Sequence, residues 1–268
     1  MLIDGAHPAR PAPLQGLEPS MMAWIEHGLV ALSVALKPIK PEPACLLPLS
    51  AVHLLAPLPR PGKVVGAAFN YRDGLKASNR AEPEEPVIFV KSHTTVVGPG
   101  VTVPLIAGNQ VTYEAELAAV IGTQALKVSR EEAEAHVCGY AIFNDISYGN
   151  LTREHGFVRG KNQTATGPLG PWIVSADDVA NPYDLGIELE VDGVTLQSSN
   201  TEHMLFRIDE LIAYVSERMP LDAGDIIATG TPAGVATNHT PATWLRHGQH
   251  VTLRVQGLGE LSNDIVEV

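Results

Sequence analysis

Apolar residues along the chain fall in short runs bounded by Gly, Pro, Asn and Asp, the pattern of many strands and tight turns. Residues 63–70 (KVVGAAFN) and 87–91 (VIFVK) read as strands, separated by a polar segment that reads as loop as far as Pro86. Residues 111–121 form a further strand, and 138–144 a buried one. Between these two, Ser129 is followed three residues later by Glu132; this capping box starts a helix that runs to about Val137. Asp192-Gly193 interrupts the alternation of 185–197 and marks a hairpin, since both residues tolerate the positive φ its turn requires. Ile208, Leu211, Ile212 and Val215 recur at helical spacing, and Pro220 closes that helix. Residues 225–228 and 250–255 read as strands, with a weaker one at 265–268.

The first sixty residues differ. Pro8, Pro11, Pro13, Pro19, Pro38, Pro41, Pro43 and Pro48 punctuate them, the good helical stretch is 20–27, and Pro57, Pro59 and Pro61 mark a linker. The expected organisation is a small N-terminal domain over 1–60 and a catalytic domain over 61–268, in a β-rich α+β class. Composition supports a packed, turn-rich fold: 45% of the 268 residues are hydrophobic and 18% charged, with 24 Gly and 21 Pro. The longest apolar stretches, 28–36 and 117–122, fall short of the roughly 20 residues that span a bilayer, so no membrane partner is expected. Asp4, His7 and Pro8 stand where a secretory leader needs a basic start and an apolar run, so no export is expected. Cys45 and Cys138 belong to no CxxC pair and fit a reduced cytoplasmic compartment. Eighteen Lys and Arg against 30 Asp and Glu give a net charge of −12, the wrong sign for a nucleic-acid partner.

Most catalytic signatures are absent. Gly160-Lys161 is followed by Asn162 and lacks the glycine a phosphate loop needs, and there is no HExxH, GxSxG or GxGxxG. Carboxylates remain. In the strand 111–121, alternation puts Glu114 and Glu116 on one face, and the apolar residues 117–121 argue for a central strand where two acids are costly unless a positive group compensates them. A hard dication with oxygen ligands is one such partner, and Asp145, at the end of the apolar strand 138–144, is a third candidate ligand. On spacing alone, though, Glu at i and i+2 also marks the wet face of a strand, and Asp after a strand also marks a turn. Lys161 lies in a polar loop, where lysines are ordinarily solvated. The turn Thr229-Gly230-Thr231-Pro232 could offer backbone N–H groups and the Thr231 hydroxyl to a carboxylate. Of the ten histidines, His93 and His155 fall nearest these segments and are the candidate bases.

The order of Asn70-Tyr71-Arg72-Asp73, residues 86–91, residues 113–117, Asn144-Asp145, Gly160-Lys161, Gly170-Pro171-Trp172, Asn200-Thr201 and the 224–232 segment resembles the fumarylacetoacetate hydrolase family from about Leu49 to Val268. The resemblance implies a mixed β-roll or sandwich core, a homodimer, and Mg²⁺ or Mn²⁺ bound by Glu114, Glu116 and Asp145. It further implies that Lys161 and Thr231 contact a small oxo-acid substrate and that Tyr71 and Arg72 lie by an active-site lid. Lys91 joins them as local positive charge for an anionic substrate. Three departures stand out. Where the family's lid carries a water-activating His and Glu, this chain has Gly74 and Ala77; where it often has Arg-Asp, the chain has Gly149 and Asn150; and Thr164 replaces a common Asp.

The expected activity is metal-dependent hydrolysis of a C–C bond in a β-diketo or acylpyruvate-like acid through an enolate, with Lys161 as electrostatic catalyst and His155 or His93 as base. The alternative, favoured by Gly74 and Ala77, is a decarboxylase, isomerase or hydratase of a 2-oxo dioic acid, which needs an electron sink but no activated water. A third reading, of another class, is a non-catalytic binder of metal–oxo-acid complexes.

Overall fold

The computed structural model describes residues 12–14, 16–41 and 46–268. Cys45 and residues 1–11, on which the export reading rests, lie outside the described residues.

A seven-stranded mixed sheet runs in the order β2 (Val87–Lys91), β1 (Val64–Ala68), β12 (Ile226–Ala228), β6 (Ala115–Ile121), β7 (Val137–Asn144), β9 (Gly167–Ser175) and β3 (Val96–Val97). Its central strands β6 and β7 are buried at every position, because both faces are covered. On one face Val65, Leu117, Ala119, Ile142 and Ile227 pack with Ile187, Leu189, Leu253 and Leu261. Those four belong to a five-stranded sheet ordered β11 (Val194–Asn200), β10 (Gly186–Val191), β13 (His250–Val255), β14 (Gly259–Glu267) and β4 (Val103–Leu105). On the other face Val64, Ala118, Ala141, Phe143 and Ile226 pack with Ile25, Ala56 and Leu58 of the N-terminal segment. Alternation along each strand thus feeds two apolar layers, the arrangement of a β-rich α+β sandwich.

Ile25 lies on α1 (Met21–Leu36), which Ser20 caps by accepting a bond from the Ala23 amide at 3.2 Å. Gly28, at φ 106°, breaks the expected first helix there, and a second helical piece continues through residues read as an apolar run. The Ser129–Glu132 capping box forms, on α3 (Arg130–Ala133), and the Asp192-Gly193 turn adopts positive φ at both residues. The helix read from Ile208 onward is α5 (Ile208–Ser216).

Three segments differ from expectation. Residues 111–121 split into β5 (Val111–Thr112) and β6, since β5 leaves the large sheet to pair with β8 (Ser147–Tyr148). The segment between β1 and β2 contains α2 (Arg72–Ala77), closed by a bond from the Ser78 amide to Gly74 O at 3.0 Å. Residues taken as loop around Gly160-Lys161 form α4 (Gly149–Lys161), whose low apolar periodicity and three glycines conceal it.

Candidate metal centre and adjoining cavity

Register brings the acids together. β6 and β7 are antiparallel, with Ala115 opposite Asn144 and Glu116 opposite Phe143. The same register carried one residue further sets Glu114 against Asp145, and the Asp145 amide donates to Glu114 O at 3.0 Å. Glu116, two positions along, shares the face of Glu114. One oxygen from each of Glu114, Glu116 and Asp145 lies within 4.8 Å of the others, the cluster expected from the sequence.

Two lysines meet these carboxylates. Lys161 Nζ donates to Glu114 Oε2 at 2.7 Å and to Asp145 Oδ2 at 2.6 Å. It gets there because α4 kinks at Gly156, at φ 78°, and folds its second half back on the first. The two halves touch at Gly160, where a Cβ would stand 1.8 Å from Thr152 Oγ1, so only glycine admits the turn that aims Lys161 inward. Lys161 is therefore buried rather than solvated. Lys91 is fully buried and donates to Asp145 Oδ1 at 2.6 Å, Thr166 O at 3.0 Å and Ile146 O at 3.3 Å. With its three protons spent on the protein it does not face the cavity, which corrects its expected role as a substrate contact; it holds Asp145 in place.

Three carboxylates thus face two ammonium groups. Burial, then the charges of Asp145 and Glu114, push the Glu116 carboxyl well above its ordinary range. Glu114 is raised as well, by burial that Lys161 only partly offsets. Burial pulls Asp145 upward too, but Lys161 and Lys91 overcome it and hold that carboxyl below the usual range. Burial alone favours neutral Lys161; Asp145, Glu114 and Glu116 outweigh it and keep the ammonium charged. An all-oxygen donor set with excess negative charge fits a hard dication.

A cavity of about 270 Å³ opens beside the cluster, with Glu114, Glu116, Lys161, Tyr71 and Thr231 in its walls. Lys161 Nζ stands 4.7 Å over the Phe89 ring, which also lines it. The turn expected to bind a carboxylate binds one of the protein's own: the Gly230 amide donates to Glu116 Oε2 at 3.1 Å. Thr231 Oγ1 donates to Ala115 O and accepts from Gln197 Nε2, both at 2.9 Å. Tyr71 Oη is buried and makes no hydrogen bond, Thr229 lying beside it outside bonding geometry, and burial raises its pKa far above the usual phenol range.

Three further expectations are corrected. His155 is on the solvent side of α4 beside Glu154, with 40% of its side chain exposed, and His93 is exposed on the turn after β2. Among the described residues no histidine lines the cavity. Arg72 points away from it, donating to Met204 O at 2.8 Å and pairing with Glu82. Sequence reasoning missed Arg80, Arg153 and Gln197. The two arginines line the cavity, and buried Gln197 accepts from the Ala115 amide while donating to Thr231 and Pro232, tying β11 to the site. No motif marks them; only the fold brings them in.

A model of the fumarylacetoacetate (FAA) hydrolase C-terminal domain matches residues 63–266. The human oxaloacetate tautomerase FAHD2B, mitochondrial, is 39% identical over 254 residues, 93% of this chain and 81% of its own. The crystal structure of 5-carboxymethyl-2-hydroxymuconate delta-isomerase from Mycobacterium smegmatis superposes with a TM-score of 0.73 at 37% identity, covering 83% of each chain. That of maleylpyruvate hydrolase from Sphingobium sp. SYK-6 does so with a TM-score of 0.77 at 31% identity, covering 92% of this chain and 86% of its own. With these likenesses added to the sheet order and the clustered carboxylates, the chain belongs to the fumarylacetoacetate hydrolase family.

Proposed function

We propose that the protein is a divalent-metal-dependent isomerase that interconverts the enol and keto forms of a small 2-oxo acid of the oxaloacetate type, in preference to hydrolysing a C–C bond. The observation that carries this reading is the make-up of the cavity wall. Hydrolysis needs a base to activate water; Gly74 and Ala77 hold the lid positions, and His93 and His155 are outside the cavity. Enol–keto exchange needs stabilisation of negative charge on one oxygen and one proton lost from that oxygen and gained at carbon, which solvent water can carry, with no water activated as a nucleophile. The 39% identity to an oxaloacetate tautomerase supports the same choice.

Glu114, Glu116 and Asp145 would hold Mg²⁺ or Mn²⁺, which supplies Lewis acidity and open positions for a carboxylate and a keto oxygen. Lys161 keeps its proton and presents a buried positive charge to the oxygen on which charge develops. Tyr71 Oη is an unspent donor in the cavity wall and holds its proton across the physiological range. Thr231 has its proton committed to Ala115 O and can only accept. Phe89 and Phe157, stacked with centroids 5.1 Å apart, line the cavity and limit water there.

The test follows loss of enol absorbance after enol-oxaloacetate is diluted into buffer with Mg²⁺ or with EDTA, beside an acylpyruvate cleavage assay. Metal-dependent acceleration of ketonisation without acid release is expected. Acylpyruvate cleavage with no effect on ketonisation would refute the reading.

A further inference from the structure

Two arginines, Arg80 and Arg153, line this cavity in addition to the lysine that pairs with its acids. Arg153, on α4, lines the wall that also holds Glu114 and Lys161, and among the described residues no carboxylate comes within ion-pair reach of it. Its side chain is exposed to solvent but anchored at one end. Arg153 Nη2 donates to Gln110 Oε1, and Gln110 O in turn accepts from the Gly149 amide at 2.7 Å. A Cβ at Gly149 would sit in ordinary contact, 3.6 Å from Arg153 Nη1 and 3.7 Å from Trp244 Cζ3, so a long side chain extending that way would meet the guanidinium. Gly149 leaves that space free, Trp244 walls it, and Gln110 holds one end of the fork.

Charge accounting says what the fork is for. With a dication in the cage, the three carboxylates, Lys91 and Lys161 sum to one excess positive charge, which balances the single carboxylate at the head of a 2-oxo acid. A second carboxylate at the far end of the substrate needs a further cation, and a guanidinium matches its two oxygens in bidentate geometry. We propose that Arg153, seated in the space left by Gly149, binds the distal carboxylate of a 2-oxo dicarboxylate and makes the site selective for diacids. Arg80 is the competing candidate, but its guanidinium is stacked 4.7 Å over the exposed Phe69 ring, and the structure gives it no polar anchor comparable to Gln110. This assignment rests on the oxo-acid reading above.

Binding to the Mg²⁺-loaded protein, measured by calorimetry with oxamate and N-oxalylglycine, separates the two claims. These stable ligands share an oxalyl head and differ by a carboxymethyl arm. The wild type is expected to prefer N-oxalylglycine. Arg153→Ala should weaken N-oxalylglycine by about tenfold or more and leave oxamate within about twofold; Arg153→Lys should fall between, and Arg80→Ala should preserve the preference. Equal weakening of both ligands in Arg153→Ala, or an unchanged preference, would overturn the assignment, as would loss of the preference in Arg80→Ala. A wild type that binds both ligands equally overturns the Arg153 assignment alone. One that binds neither removes the oxo-acid reading and this assignment together.

Discussion

Replacing Glu116 by Gln should stabilise the metal-free protein while destroying the proposed metal site. Glu116 is buried against two other carboxylates and one ammonium group, which leaves one net repulsive pair. Unit charges 4.8 Å apart repel by about 3 kcal/mol at an effective dielectric near 20. Gln keeps an oxygen for the Gly230 amide but loses the strength a charged acceptor adds, so a net gain of about 1–2 kcal/mol remains. For a chain of this size that is a rise in Tm of about 3–6 °C. Thermal unfolding in EDTA at pH 7.5 measures it. Sign follows from linkage: with its folded pKa raised, Glu116 makes the native state bind more protons than the unfolded state above the ordinary carboxylate value. Stability is therefore present at acidic pH and is lost as pH rises through the folded pKa. The advantage of Gln should be smaller at pH 5 than at pH 7.5, because acid moves wild-type Glu116 toward its neutral form. Absence of any rise at pH 7.5, or an equal rise at both pH values, would refute the argument.

Asp145→Asn should abolish calorimetric Mg²⁺ binding and cost about 3–5 kcal/mol of stability, lowering Tm by about 10 °C, because Lys91 and Lys161 would keep buried charges without their acid; a Tm within about 2 °C of wild type would contradict this. Mg²⁺ affinity should rise with pH above the ordinary carboxylate range as Glu116 and Glu114 lose their protons, and calorimetry in buffers of different ionisation enthalpy should detect proton release. Lys161→Gln should lower the ketonisation rate by about 100-fold or more, since it removes the buried charge at the reacting oxygen; a loss below about threefold would argue for a merely structural lysine. Gly74→His with Ala77→Glu should introduce acylpyruvate cleavage only with some displacement of α2, because a Cβ at Gly74 would stand 3.3 Å from Thr231 O and from the Pro232 carbonyl carbon. Cleavage with α2 unmoved in a crystal structure of the variant would refute that steric account.

What the sequence disclosed and what it hid follow from the range of the interactions. β2, the Ser129 capping box, the Asp192-Gly193 turn and β13 were legible because their signals are local: alternation, a cap, a pair of residues tolerant of positive φ. The acids were legible only as candidates. Nothing near Glu114 states that Asp145 lies opposite it; pairing of β6 with β7 does. Lys161 looked like surface because glycines that seem to forbid a helix in fact kink one, turning a polar segment inward. His93 and His155 were close to the right segments along the chain, yet the turn after β2 and the outer side of α4 carry them into solvent. Arg153 and Gln197 act through contacts with residues 43 and 82 positions away, beyond the reach of any motif.

The ladder between β6 and β7 also sets what the gene can tolerate. Extra residues in the connection that runs from 122 to 136 lengthen an excursion and leave both strands in step. A single insertion after Glu116 would instead send Glu114 and Glu116 past their neighbours by one rung and turn them to the opposite side of the sheet. Variation in length should therefore collect in that excursion and stop abruptly at the strand ends, where the spacing of the ladder and the geometry of the acid cluster are the same quantity.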